Sequence, residues 1–84
     1  MIAIIQRCTK ANVKIDNKII SEIGSGMVVL LGVRKGDEKK DIEYVANKII
    51  ALRIFSDQNN KMNLSIKDIN GSILVVSQFT LCAS

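Results

Sequence analysis

A continuous apolar run near the end of the sequence constrains the fold most. Residues Ile73 to Val76 are apolar at every position, and the run ends abruptly in Ser77, Gln78 and Thr80. Successive apolar β-formers without alternation predict a strand that is buried on both faces. Polar groups inside a core would each need a hydrogen-bond partner. We therefore expect the strand to end here and to present these polar side chains to a pocket.

The first part of the chain predicts a strand, a hairpin and a central strand. Ile2 to Arg7 is a short apolar run, and Asp16-Asn17 separates two further apolar segments, as a hairpin turn does. Met27 to Val33 is apolar without alternation, which indicates burial on both faces and hence a central position in a sheet.

One helix is predicted after this strand. Asp37 is a plausible N-cap, with Glu38 in the first turn. The apolar positions that follow have the spacing of one helical face, namely Ile42, Val45, Ala46, Ile49 and Ile50.

The segments between this helix and the final strand are less regular. Leu52 to Phe55 resembles a strand, Lys61 to Ser65 is expected to be irregular, and Asn70-Gly71 predicts a tight turn into the last strand.

Together these elements predict an α/β (α+β) fold, a mixed sheet with one long helix packed on one face. We expect residues 1–84 to form a single domain. One helix can cover only one face of the sheet. A second copy of the chain or a further segment is therefore expected to cover the other face.

The composition excludes several classes of site. The chain has no His and no Pro, so it lacks the usual general base, the commonest metal ligand and any His-activated nucleophile. Cys8 and Cys82 form no zinc spacing, and we expect two free thiols in a reducing cytoplasm, no metal and no cofactor. No segment is long enough for a membrane span. The net charge of +4 suits a nucleic-acid partner as well as an ordinary basic surface.

The segment Ser77-Gln78-Phe79-Thr80-Leu81 resembles the signature of the D-aminoacyl-tRNA deacylases, formerly D-tyrosyl-tRNA deacylases. Other segments resemble the same family in order and spacing, among them Gln6-Arg7, Lys35-Gly36-Asp37, Leu52-Arg53-Ile54-Phe55 and Lys61-Met62-Asn63-Leu64-Ser65. The resemblance runs from Met1 to about Ala83.

The resemblance implies a deacylase-like half-barrel that lacks the C-terminal part of the family fold. It also implies a homodimer with sites at the subunit interface, a D-aminoacyl-tRNA substrate, and no membrane or DNA partner. Carried over by motif, Thr80, Gln78 and Phe79 are the catalytic candidates. Ser77 and Arg7 are the candidates for substrate binding, with Arg7 close to the site.

Two mechanisms are compatible with these residues. Thr80 could act as a nucleophile, but the chain offers no evident base to activate its hydroxyl. Alternatively, water attacks the activated ester with help from the substrate's 2′-OH, and backbone N–H groups near Phe79-Thr80 hold the carbonyl oxygen. We favour the second mechanism. The alternative is that Ser77 and Thr80 are ordinary β-forming residues on a half-exposed strand and have no role in a site.

The chain departs from the family in one respect that bears on function. Family members are longer, and their second half carries a Gly-Pro motif that excludes L-amino acids, whereas this chain has no Pro. We therefore expect hydrolysis without this chiral filter. The alternative is an inactive truncated fragment that binds tRNA or self-associates without turnover.

Overall fold

The computed structural model describes residues 1–77 of the 84-residue chain. Its elements, in chain order, are β1 (Ile2–Cys8), β2 (Ala11–Ile15), β3 (Lys18–Ile23), β4 (Gly26–Gly32), α1 (Lys39–Ala51), β5 (Phe55–Ser56), β6 (Met62–Leu64) and β7 (Ser72–Ser77).

A three-stranded mixed sheet in the order β1-β4-β7 forms the centre of the fold. The strand β4 lies between the other two, antiparallel to β1 and parallel to β7. A parallel pair needs a crossover connection, and here α1, β5 and β6 supply it. The predicted α+β class, the mixed sheet, the single long helix and the central position of β4 are all confirmed.

The strands β2 and β3 form the predicted hairpin. Asp16 and Asn17 have φ angles of 50° and 66°, and two consecutive positive φ angles are characteristic of the type I′ turn. This turn suits a hairpin because its twist matches that of the flanking strands. The ladder contains an irregularity between Val13 and Lys14.

The beginning of α1 differs from the prediction. The N-cap is Glu38 rather than Asp37, and the Asp41 carboxylate accepts a hydrogen bond from the Glu38 backbone N–H at 2.8 Å. The Asp37 carboxylate instead accepts the backbone N–H of Arg34 at 2.7 Å and lies 3.1 Å from the amino group of Met1. Asp37 therefore ties the start of β1 to the turn before the helix.

The segment after α1 also differs from the prediction. The expected strand over residues 52–55 is reduced to β5, which has two residues, and the expected irregular segment contains the strand β6. The short β5–β6 ladder depends on the intervening turn, where Asn60 has a φ of 59°. The predicted turn before β7 is confirmed, with Asn70 at a φ of 52°.

The core lies on the face of the sheet that α1 covers. Its buried residues come from β4, from α1 and from the crossover after the helix, and they are Met27, Val29, Ile49, Phe55 and Ile66. The helix thus packs on one face of the sheet, as predicted. No helix in residues 1–77 is both long and apolar enough to cross a membrane.

The opposite face of the sheet is only partly covered. Leu74 is buried on this face, Leu30 and Val76 are half-buried, and Ile4 is 46% exposed. Burial on both faces is thus nearly reached in β4 but not in β7, where Val75 is 56% exposed on the helix side. The physical reason is position: within residues 1–77, β7 is an edge strand, with β4 as its one neighbour.

Replacing Gly26 by Ala tests the pairing of β4 with β7. A Cβ atom at Gly26 would overlap the Ser72 carbonyl oxygen, whereas a Cβ atom at Gly24 meets nothing within 4 Å. We expect Gly26→Ala to lower the free energy of unfolding by about 1–3 kcal/mol, the usual range for overpacking. Gly24→Ala should change it by less than about 0.5 kcal/mol. Urea denaturation of the two variants measures the difference, and equal effects would contradict the close approach.

Replacing Asp37 by Asn tests the contacts at the start of β1. The Arg34 backbone N–H, followed by the Met1 amino group, lowers the pKa of Asp37 below its ordinary value of 3.8. A lowered folded-state pKa contributes stability above the unfolded-state pKa, and this stability is lost as the pH falls through the folded-state value. Asp37→Asn should therefore melt at a lower temperature than the parent at pH 7, and the gap should close below about pH 3.8. Glu43→Gln, on the exposed helix surface, is the control. A gap that persists unchanged in acid would contradict this role.

Candidate active site at the end of β7

Ser77 is the last residue of β7, and its side chain is exposed. It is paired with Leu31 of β4 in the parallel ladder. Side chains alternate along a strand, so Ser77 lies on the same face of the sheet as Val75 and Ile73, the face that α1 covers. The other candidates in this motif, Gln78, Phe79 and Thr80, lie outside the described residues, as does Cys82.

Arg7 lies near the other end of the sheet. It is paired with Met27 across the β1–β4 ladder, and its Nη1 donates a hydrogen bond to the Ile54 carbonyl oxygen at 3.0 Å. This contact joins β1 to the segment that precedes β5. A guanidinium group carries five N–H donors, so this one bond leaves Arg7 able to hold a further acceptor.

A single copy of residues 1–77 does not bring Arg7 and Ser77 together. Their partners on β4, Met27 and Leu31, are four residues apart, and β4 itself lies between the two strands. At about 3.3 Å per residue and about 4.8 Å between strands, the two residues are separated by roughly 13 Å along the sheet and roughly 10 Å across it. The sequence did not reveal this separation, because it depends on the register of two ladders.

The described part of the chain contains no buried polar cluster. Among residues 1–77 there is no buried polar or charged residue, and no group of three or more residues that could hold a metal ion. Residues 1–77 therefore offer neither a buried polar group nor a metal-binding cluster for the expected chemistry.

Three carboxyl groups have lowered pKa values, and local turns, joined in the case of Asp37 by the Met1 amino group, explain them. Backbone N–H groups are the main cause in every case: that of Arg34 for Asp37, that of Lys61 for Asp57, and that of Ser65 for Asp68. A carboxylate held in this way is stabilised as the anion and is a weak base. These groups serve the turns, and none of them has the raised pKa of a general acid.

An open groove lies at the Arg7 end of the sheet, and the sequence did not predict it. It has a volume of about 1160 Å³, and its polar lining includes Arg7, Thr9, Lys10 and Ser25. The polar pair Thr9-Lys10 that follows β1 was the available signal in the sequence, but the groove is also lined by residues of β5 and β6, among them Phe55 and Met62. The two cations of this groove have different partners. The Lys10 ammonium pairs with the Glu22 carboxylate at 3.2 Å, whereas the Arg7 guanidinium donates to the Ile54 carbonyl oxygen.

Comparison with known proteins identifies the family. The sequence profile described as D-Tyr-tRNA(Tyr) deacylase matches residues 4–84. The chain belongs to this family. It is 58% identical over 81 residues to a D-aminoacyl-tRNA deacylase of Thermodesulfovibrio yellowstonii, covering 96% of this chain and 56% of that protein. It is also 58% identical over 83 residues to a D-aminoacyl-tRNA deacylase of Dictyoglomus turgidum, covering 99% of this chain and 53% of that protein.

A solved structure shares the same fold. A protein described as c-Myc DNA Unwinding Element Binding Protein superposes with a TM-score of 0.91 at 43% sequence identity, covering 96% of this chain and 55% of that one. The resemblance to an N-terminal portion of the deacylases is therefore confirmed. The chain spans about half the length of the relatives that it matches.

Proposed function

We propose that this chain hydrolyses the ester bond of D-aminoacyl-tRNA, releasing a D-amino acid and free tRNA. The supporting observation is the family match, which covers residues 4–84 and so includes the whole Ser77–Thr80 motif. We take residues 1–84 as one deacylase-like domain. A charged tRNA substrate and free thiols such as Cys8 suit a cytoplasmic setting.

The proposed chemistry needs positioning more than a strong base. A water oxygen adds to the ester carbonyl carbon, the bond from this carbon to the ribose oxygen breaks, and the ribose oxygen leaves with a proton. The substrate's 2′-OH assists the proton transfer. Backbone N–H groups at Phe79-Thr80 stabilise the negative charge on the carbonyl oxygen, and Ser77 and Gln78 order the end of the strand.

A homodimer is the second part of the proposal. Two observations support it: the partly covered sheet face with Ile4 exposed, and the distance between Arg7 and Ser77 within one copy. A site that contains both Arg7 and the end of β7 would take Arg7 from one copy and the strand end from its partner.

Variants at Thr80 distinguish the two mechanisms. Thr80→Ala removes the hydroxyl but keeps the backbone N–H, whereas Thr80→Pro removes the N–H. If backbone N–H groups stabilise the oxyanion, Thr80→Ala should retain most of the hydrolysis of D-tyrosyl-tRNA, and Thr80→Pro should lose about 10²–10³-fold. A nucleophilic Thr80 predicts that Thr80→Ala is inactive.

Parallel measurements complete this experiment. Circular dichroism verifies that each variant is folded, and L-tyrosyl-tRNA tests whether stereochemical preference is lost. The absence of hydrolysis of either substrate by the folded parent chain would contradict the proposal. In that case, salt-dependent tRNA binding would identify a binding protein without turnover, and a comparison with duplex DNA would show whether the binding is specific for tRNA.

Mixing two inactive variants tests whether sites are shared between copies. If each site combines Arg7 of one copy with the strand end of the other, a mixed dimer of Arg7→Met and Thr80→Pro contains one intact site. Equal mixing should then restore about one quarter of the parent activity, because half of the dimers are mixed and each has one of two sites. If both residues act within one copy, every site in the mixture is defective and activity stays at the level of the separate variants.

A further inference from the structure

The turn before β7 contains the one Asn-Gly pair of the sequence, Asn70-Gly71. Among residues 1–77, three asparagines have positive φ angles, namely Asn17, Asn60 and Asn70, and the first two are followed by Lys. Asn70 is exposed. Because glycine has no side chain, nothing shields its backbone nitrogen from the side-chain amide of the residue before it. The pair therefore has the chemistry for a reaction within the main chain.

Packing favours glycine at position 71. A Cβ atom there would lie 2.9 Å from Cδ1 of Ile66 and 2.9 Å from Cδ1 of Ile69. Ile66 is a buried core residue, and Ile69 packs against the core. A larger residue at position 71 would therefore displace core side chains immediately before β7. The fold thus places a glycine next to Asn70 for reasons of packing.

Hydrogen bonds hold the Gly71 nitrogen in the turn. The Gly71 N–H donates to the Ile66 carbonyl oxygen at 3.0 Å. The segment that carries this acceptor is fixed by two reciprocal bonds: the Ser65 N–H donates to the Asp68 carboxylate at 2.8 Å, and the Asp68 N–H donates to Ser65 Oγ at 3.3 Å. The same reciprocal pattern forms the capping box of a helix. The Gly71 nitrogen is therefore available for reaction only when the turn opens.

We propose that Asn70 is a site of spontaneous deamidation and isomerisation, and that the turn from Ser65 to Gly71 controls its rate. The Gly71 nitrogen forms a bond to the Asn70 side-chain carbonyl carbon, and the side-chain nitrogen leaves as ammonia with the proton that Gly71 loses. Water then opens the resulting cyclic imide at either of its carbonyl carbons. One product is aspartate. The other is isoaspartate, in which the main chain runs through the former side chain and is longer by one carbon atom.

Isoaspartate at position 70 would act directly on β7. Ser72 is the first residue of this strand, its N–H donates to the Ser25 carbonyl oxygen at 3.1 Å, and it is paired in close contact with Gly26. A longer main chain and a new negative charge in the preceding turn are therefore expected to displace the start of the β4–β7 ladder. This inference depends on the geometry of the turn and not on the proposed hydrolysis.

Incubation of the full 84-residue chain in neutral buffer tests the site. Peptide mass spectrometry locates deamidated asparagines, and a protein isoaspartate methyltransferase with labelled S-adenosylmethionine detects isoaspartate. Asn70 should be modified first, whereas Asn17 and Asn60, which share its positive φ but precede Lys, should stay intact for longer. Asn70→Gly removes the reacting amide, and glycine accepts a positive φ, so this variant should lose most of the methyltransferase signal. Equal modification of the three asparagines, or an unmodified Asn70, would overturn the proposal.

Loosening the turn tests whether it controls the rate. Asp68→Ala removes the carboxylate that holds the turn of Asn70. Asp57 is the matched control, because its carboxylate accepts two backbone N–H groups, at 2.8 and 3.1 Å, in the turn that contains Asn60. Asp68→Ala should raise the rate of modification at Asn70 several-fold, and Asp57→Ala should leave this rate unchanged. Equal rates in the two variants would refute control by the turn.

The parent chain in urea gives the same test without a variant that must fold. Unfolding breaks the bond from the Gly71 N–H to the Ile66 carbonyl oxygen, so Asn70 should react faster in urea than in the folded chain. Equal rates in the two states would show that the turn does not restrain the reaction.

The purified isoaspartate form tests the effect on β7. Asn70→Asp is its matched control, because this variant carries the same added charge on a main chain of normal length. The isoaspartate form should melt at a lower temperature than Asn70→Asp. Equal melting temperatures would contradict the displacement of the strand. Because none of these measurements uses tRNA, failure of this proposal can be distinguished from failure of the proposed hydrolysis.

Discussion

The parallel pairing of β4 with β7 is the constraint on which the rest of the structure depends. At the start of this ladder the two backbones approach closely, where Gly26 faces Ser72 and the Ser72 N–H donates to the Ser25 carbonyl oxygen at 3.1 Å. A parallel pair cannot be closed by a short turn, so the chain must cross over the sheet between the two strands. The crossover places α1 and Phe55 on one face and builds the core there. Within residues 1–77 the other face is only partly covered.

The periodic elements of this fold could be predicted from sequence because their signals are local. The unalternated run of β4, the hairpin turn at Asp16-Asn17 and the apolar face of α1 each depend on neighbouring residues. The short β5–β6 ladder could not be predicted, because two or three residues carry no usable period. The role of Asp37 could not be predicted from local sequence either. Its local context suits an N-cap, but a distant group, the Met1 amine, is its ion-pair partner.

The candidate site, too, could be predicted only where its signal is local in the sequence. The Ser77-Gln78-Phe79-Thr80 motif is contiguous, and its resemblance to a family could be recognised from the sequence. The position of Arg7 relative to this motif could not, because it depends on the register of β1 and β7 on the same central strand. A motif comparison names Arg7 and Ser77 together, whereas the ladders place these two residues at different ends of the sheet. A site that contained both residues would therefore need a second copy or a further segment.

The proposed mechanism also accounts for a chain without histidine in a family of hydrolases. An aminoacyl ester is already activated, so catalysis can rely on orienting water and on stabilising the oxyanion with backbone N–H groups. Such groups are effective only when the backbone that carries them is held rigidly. Under the proposed mechanism the rigid support would be β7, which is paired with β4 from Ser72 to Ser77. Within residues 1–77, the outer edge of β7 has no partner strand, and the β7 residue Val75 is 56% exposed. Additional contacts on the helix side of β7 would therefore increase rigidity where the chemistry requires it. Such contacts would not bury polar groups of this surface, because the space between α1 and β7 is lined by apolar side chains such as Val45, Ile73 and Val75.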